Sequence, residues 1–314
     1  MKNKKLTISA IFILIILLGV ASASYYAAYT TLHKAKQPLI KSPVDYGLTF
    51  EDIEFTNEDG MLLKGWWIDG EKSDNDKVII VAHGYSANRA GWLGTDKENK
   101  EHYLDWLAVA PHLVKQGYNM LYFDMRASGE SEGKVITLGK YEADDMLASI
   151  KWQLKEKKKR SIGLLGYSMG GNVVLRAGLS LNKMMDSGEI KKISIISVGP
   201  YKYNTMMRKS IAYWTNLPTF FTPLINYSAK HILGFNPSEE IDPSKYVGSM
   251  TGIPLYFIQS ELDEIGDVDD VRDIYSAAKE PKQITIIPNA KRFVHYNWPA
   301  KNPKSIIDFY NKYL

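Results

Sequence analysis

Short apolar runs recur along this chain, and stretches with helical periodicity separate them. Lys77–Ala82, Asn119–Phe123, Ser161–Leu165, Ile193–Val198, Ile253–Gln259 and Gln283–Ile287 read as strands covered on both faces, because little polar alternation interrupts them. Tyr103–Lys115, closed by Gly117, reads as a helix, as do Tyr141–Lys155, Val173–Leu181, Val268–Ala278 and Pro303–Leu314. Strands alternating with helices leave few architectures open. The chain is expected to form an α/β fold, a mostly parallel sheet with helices on both faces. Ahead of this pattern, Glu51–Thr56 and Met61–Ile68 flank the turn signal Asn57-Glu58-Asp59-Gly60. That predicts an antiparallel hairpin at one edge.

The N-terminus has a different character. Leu6 to about Tyr29 carries no charge, and Ile11–Leu18 is almost purely aliphatic. As a helix rising about 1.5 Å per residue, that run exceeds a hydrocarbon core of about 30 Å. Lys2, Lys4 and Lys5 precede it, and Tyr25, Tyr26 and Tyr29 stand where an interfacial aromatic belt would stand. One reading is a retained membrane anchor over residues 1–30, with a tether over 31–45. The other is a cleaved signal peptide, since Ala21-Ser22-Ala23 has the small-x-small form of a cleavage site. A large body over residues 46–314 is expected outside the cytoplasm, because long domains translocate largely regardless of charge. The net charge is +4. The three N-terminal lysines supply most of it, so the body is near neutral and nucleic-acid binding is not implied. The chain has no cysteine, which excludes disulfides, thiolate metal sites and a cysteine nucleophile.

The pattern Gly-x-Ser-x-Gly occurs twice, at Gly129–Gly133 and at Gly166–Gly170. Context separates the two. A nucleophile elbow needs a strand, a sharp turn and a helix, with glycines keeping Cβ atoms out of the crowded turn. Ser168 has an apolar strand before it and a helix after it. Ser131 has neither, and Glu130 and Glu132 would oppose a developing oxyanion. Ser168 is therefore the candidate nucleophile, and Ser131 is read as part of a polar loop.

Together, Asp59-Gly60-x-x-Leu63, His83-Gly84, Asp124-x-Arg126-x-x-Gly129-x-Ser131, Gly166–Gly171 and Asp263 make the chain resemble the α/β-hydrolase superfamily over about residues 50 to 314. The resemblance is to its bacterial membrane-anchored or secreted, esterase-like branch. It implies a serine hydrolase acting on carboxylic ester or thioester bonds, with no metal or cofactor required. It also implies an oxyanion hole made by the N–H groups of Met169 and Tyr85. His83, Asp124 and Arg126 match loops that are structural in the family.

In this fold the acid and then the histidine follow the serine in chain order. Asp263 follows the Ile253–Gln259 strand and is the candidate acid. His295 is the histidine that follows Asp263 and the last strand. The family usually carries its histidine just past that strand, and here Arg292 occupies the place. If residues 292–297 are helical, positions three apart share a face and His295 can reach Ser168. If not, the hydroxyl lacks a base, and the chain becomes a catalytically impaired protein that binds a ligand at the membrane. Gly199–Gly252 is far longer than a connecting helix needs, which predicts a helical lid over about 200–250. Its aromatics, Tyr201, Tyr203, Tyr213, Trp214, Phe220, Phe221 and Tyr227, either line an acyl pocket or pack the lid onto the core. Lys202, Arg208, Lys209 and Lys230 either favour an anionic lipid surface or are merely solvated. The expected partners are a small acyl ester substrate and membrane lipid.

Overall fold

The computed structural model describes residues 2–71, 76–215 and 218–314. Ten strands are present among the described residues: β1 (Glu51–Thr56), β2 (Leu62–Ile68), β3 (Lys77–Ala82), β4 (Gly91–Thr95), β5 (Glu101–Asp105), β6 (Asn119–Phe123), β7 (Ser161–Tyr167), β8 (Lys192–Val198), β9 (Leu255–Leu262) and β10 (Lys282–Lys291). Eight of them form one sheet in the order β1-β2-β6-β3-β7-β8-β9-β10. From β6 to β10 neighbouring strands run parallel, while β1 and β2 form the antiparallel edge. The expected sheet and its opening hairpin are both present.

The helices are α1 (Lys2–Leu32), α2 (Ala110–Lys115), α3 (Glu142–Glu156), α4 (Met169–Asp186), α5 (Tyr203–Trp214), α6 (Thr222–Leu233), α7 (Pro237–Glu240), α8 (Val268–Ala277), α9 (Trp298–Lys301) and α10 (Pro303–Tyr313). Alternate residues of β3 go to opposite faces, as the pleat requires. Val78, Ile80 and Ala82 join the apolar cluster that holds α3, α4 and α8. Ile79 and Val81 join the cluster that holds α2 and α10. Every residue of β7 is buried, which fits a strand at the centre of a sheet covered on both sides. That strand delivers Ser168.

Tyr103–Lys115 is not one helix. Its start belongs to β5, which pairs with β4 in a small second sheet, and α2 begins only at Ala110. Asp96 explains the hairpin. Its carboxylate accepts from the N–H groups of Glu98 and Lys100 and closes the turn, while His102 lies 2.8 Å from it. The helix after the nucleophile is longer than expected, starting at Met169 rather than Val173.

Between β8 and β9 the chain folds as α5, α6, α7 and short 3₁₀ turns. The aromatics here divide: Tyr201 and Tyr203 are buried, whereas Phe220 and Tyr227 are exposed. The cations divide too. Lys202 pairs with Asp273 and Lys209 with Asp267, so two of the four basic residues meet carboxylates at or beside α8.

Candidate active site

Ser168 joins β7 to α4 with φ 54° and ψ −115°, a conformation strained for any residue with a Cβ. Its neighbours make this turn possible. A Cβ on Gly166 would lie 2.1 Å from the Gly170 carbonyl oxygen, and one on Gly170 would lie 2.2 Å from that of Ala82. No side chain fits at either position, so the serine is lifted out of the sheet. Its N–H donates to Val198 O at 2.8 Å, pinning the turn to β8.

Two backbone segments face this serine. Met169 opens α4, and the first N–H groups of a helix have no carbonyl within it. They and the helix dipole favour negative charge there. The loop after β3 passes on the other side: the Cβ position of Gly84 lies 3.6 Å from Ser168 Cβ. His83 holds that loop. Nδ1 lies 2.8 Å from Gly84 O, and Nε2 accepts from the Met125 N–H at 3.1 Å. Those two partners require a neutral ring protonated on Nδ1, and burial pushes its pKa down. Tyr85 follows, its hydroxyl donating to Thr31 O of α1 at 2.6 Å.

Asp263 sits on the loop after β9, buried, with one carboxylate oxygen accepting from the Ile265 and Gly266 N–H groups. Arg292 Nη1 lies 3.3 Å from the same oxygen. Asp263 and His295 come together, with Nε2 3.6 Å from the other carboxylate oxygen. The opposite ring nitrogen lies 2.9 Å from Ser260 Oγ. Both nitrogens of His295 thus face inward partners. Burial lowers its pKa to about 4, Arg292 adds to that effect, and Asp263 opposes it. Residues 295–297 form a 3₁₀ turn rather than an α-helix.

Beside Ser168 in the cavity stand Tyr296 and Arg292. Burial pushes the Tyr296 phenol pKa up, against the pull of the Arg292 guanidinium. Sequence reading missed Tyr296. The available signal was its place beside His295: in a 3₁₀ turn neighbouring side chains diverge by about 120°, so an inward His295 turns Tyr296 toward another side.

Ser168 opens on a cavity of about 590 Å³ lined by Tyr85, Trp106, Tyr201, Met207, Ile211, Arg292 and Tyr296, among others. That size suits a small organic ligand. Ala27 and Thr31 of α1 line it as well. Among the described residues, no group of three His, Asp or Glu side chains is arranged to hold a metal.

A family model described as the alpha/beta hydrolase fold matches residues 77–214. The chain has the α/β-hydrolase fold. The chain is 24% identical over 309 residues to the protein YqkD of Bacillus subtilis, covering 94% of this chain and 92% of YqkD. It is 23% identical over 244 residues to YfhR of Escherichia coli K12, covering 77% of this chain and 72% of YfhR. Among solved structures, the Pyrococcus furiosus esterase Pf2001 superposes with a TM-score of 0.65 at 25% identity, covering 90% of this chain and 99% of the esterase.

Proposed function

We propose that this protein cleaves carboxylic ester or thioester bonds through an acyl-enzyme on Ser168. The observation that carries this reading is the strained turn that presents Ser168 to an apolar cavity, between the Gly84–Tyr85 loop and the first turn of α4. The likeness to an esterase supports a hydrolase.

In this reaction Ser168 Oγ attacks the acyl carbonyl carbon while its proton passes to the His295 imidazole. The Met169 and Tyr85 N–H groups donate to the oxyanion, and Asp263 stabilises the imidazolium. The C–O or C–S bond then breaks, and the leaving group departs with the proton from His295. Water, deprotonated by the same imidazole, releases the acid. In the unliganded arrangement His295 Nε2 faces Asp263 and Nδ1 faces Ser260, so the ring must turn to bring one nitrogen to Ser168 when substrate binds. Catalytic hydrogen bonds commonly tighten only in the substrate complex.

The Asp263–Arg292 contact favours a second reading. There the guanidinium fills the place of the usual imidazole, cannot accept a proton, and leaves an impaired protein that binds an acyl ligand. Fluorophosphonate labelling of the full-length protein, with burst kinetics on short p-nitrophenyl esters, separates the two. Labelling that vanishes in Ser168→Ala supports the hydrolase; an unlabelled wild type establishes the second reading.

We read α1 as a single-pass anchor with the body outside the cytoplasm. Thr7–Leu32 is long and apolar enough to cross a membrane, and Ile11–Leu18 are exposed. Protease protection in spheroplasts tests this: the body should be digested from outside.

A further inference from the structure

We propose that the docked end of α1 and the outer face of α6 form one bilayer-contacting wall of the cavity, through which an acyl chain enters from the leaflet. This names the substrate class for the ester-hydrolase reading, on which that part rests: an amphiphilic acyl ester whose chain lies in the membrane.

α1 has two parts. Residues 7–19 are exposed all round. Further along, Ser24, Ala28 and Leu32 are buried at a four-residue spacing, a single stripe against the body. The Ile136 N–H donates to Leu32 O, tying the helix end to the loop before α3. α6 packs on α1 and buries Ile225 and Ala229. Tyr25, Tyr26 and Tyr29 remain exposed on the same stretch of α1 and mark headgroup depth.

α6 and the turn before it leave an apolar stripe uncovered. Phe220, Leu224 and Tyr227 are 71%, 43% and 63% exposed. Their spacings of four and three put them on one side of the helix. Exposed apolar side chains in a row mark an interaction site. This row belongs to a helix packed against α1, whose residues 7–19 are exposed all round. Lipid is the occupant that suits both.

The inner side of the same wall is the cavity. Ala27 and Thr31 of α1 and Ile225 of α6 line it together with Ser168. The seam between the two helices therefore separates leaflet from nucleophile. Lys34, also lining the cavity, can extend its ammonium toward the headgroups while its stem stays in apolar surroundings.

The absence of cysteine makes the test direct. Full-length Phe220→Cys, Tyr227→Cys and Lys304→Cys proteins are labelled with a nitrobenzoxadiazole dye. They are placed in phosphatidylcholine–phosphatidylglycerol vesicles containing doxyl-labelled lipid. Lys304 is on α10, across the sheet from α6, and its side chain is 86% exposed. Quenching at 220 and 227 should exceed that at 304 by at least about threefold. Equal quenching overturns the wall, as does dye-to-dye transfer between copies without lipid quenching, which would place a second copy there. In a second arm, a palmitoyl lipid bearing a diazirine at mid-chain is photolysed in the vesicles. Adducts at Ala27–Thr31 and Met207 are expected, and adducts confined to residues 7–19 overturn the route. Ala27→Trp should cut the cavity adducts by at least about fivefold, because a large side chain narrows the seam. Neither arm needs turnover. Wall adducts without cleavage of soluble p-nitrophenyl acetate would sink the hydrolase and leave the wall standing. Acetate cleavage without wall adducts would do the reverse.

Discussion

Two five-residue segments share the pattern Gly-x-Ser-x-Gly and put it to opposite uses. In Gly129–Gly133 the serine is buried and its hydroxyl is saturated: Ser131 Oγ donates to Asp124 O at 2.6 Å and accepts from the Lys64 N–H at 2.9 Å. In Gly166–Gly170 the serine is partly exposed and faces a cavity that Tyr296 also lines. The glycines differ as well. Gly129 makes room for the Asp124 carboxylate, 2.2 Å from where its Cβ would be, and so serves the buried Arg89–Asp124 pair. Gly166 and Gly170 let backbone meet backbone around a turn. One segment stitches β2 to β6, and the other presents an oxygen atom. The pattern counts residues; the strand and helix around it determine what the hydroxyl does.

The contrast breaks first if Ser131 proves to be the reactive one. Ser168→Ala should abolish fluorophosphonate labelling and lower ester turnover by at least about a thousandfold, while Ser131→Ala keeps the label. The groups around Ser168 come next. His295→Ala should cost about a hundredfold or more in kcat/KM, while Tyr296→Phe should change it by less than about tenfold. If the two outcomes are reversed, the phenol rather than the imidazole takes the proton. Ser131→Ala should lower stability by about 1–3 kcal/mol, because it strands a buried carbonyl and a partly buried N–H. A urea midpoint unchanged from wild type would show that the stitch carries no weight.

The smallest expected effect is a pH dependence belonging to the Ser168 side alone. Burial holds His295 down to about 4, from an ordinary value of 6.5. Between those values the unfolded chain binds a proton that the folded chain refuses. The contribution to stability is therefore full above about 6.5 and is lost as pH falls toward 4. Urea midpoints should drop less between pH 7 and pH 5 in His295→Gln than in wild type. Equal drops would place the acid sensitivity elsewhere, and His83 is the next group to examine because burial lowers it as well.

The central fold is legible in the sequence because buried parallel strands are written as plain apolar runs, and β3, β6, β7 and β8 are such runs. The β4–β5 hairpin is not, because Gly91–Thr95 carries two glycines and little apolar alternation, while Trp106, Leu107 and Ala110 continue a helical spacing past β5. The turn that presents Ser168 was readable from the glycines and their flanks. Asp263 followed from its place after β9. What surrounds the serine hydroxyl was not readable, because it depends on how residues 292–297 wind. In the 3₁₀ turn observed, His295 turns to Ser260 while Tyr296 lines the cavity with Ser168. A difference of about half a residue per turn is invisible in a sequence and changes which side chains share a face.

The way α1 is divided bears on how this protein can be trimmed. Ala21-Ser22-Ala23 lies where the exposed part of the helix gives way to the docked part. A cut after Ala23 would release a body that still carries Ser24–Leu32, and with it the Thr31 carbonyl that holds Tyr85. A cut after Leu32 would strip α6 of its partner and leave the cavity open on one side. Soluble forms intended for crystals or assays should therefore begin at Ser24.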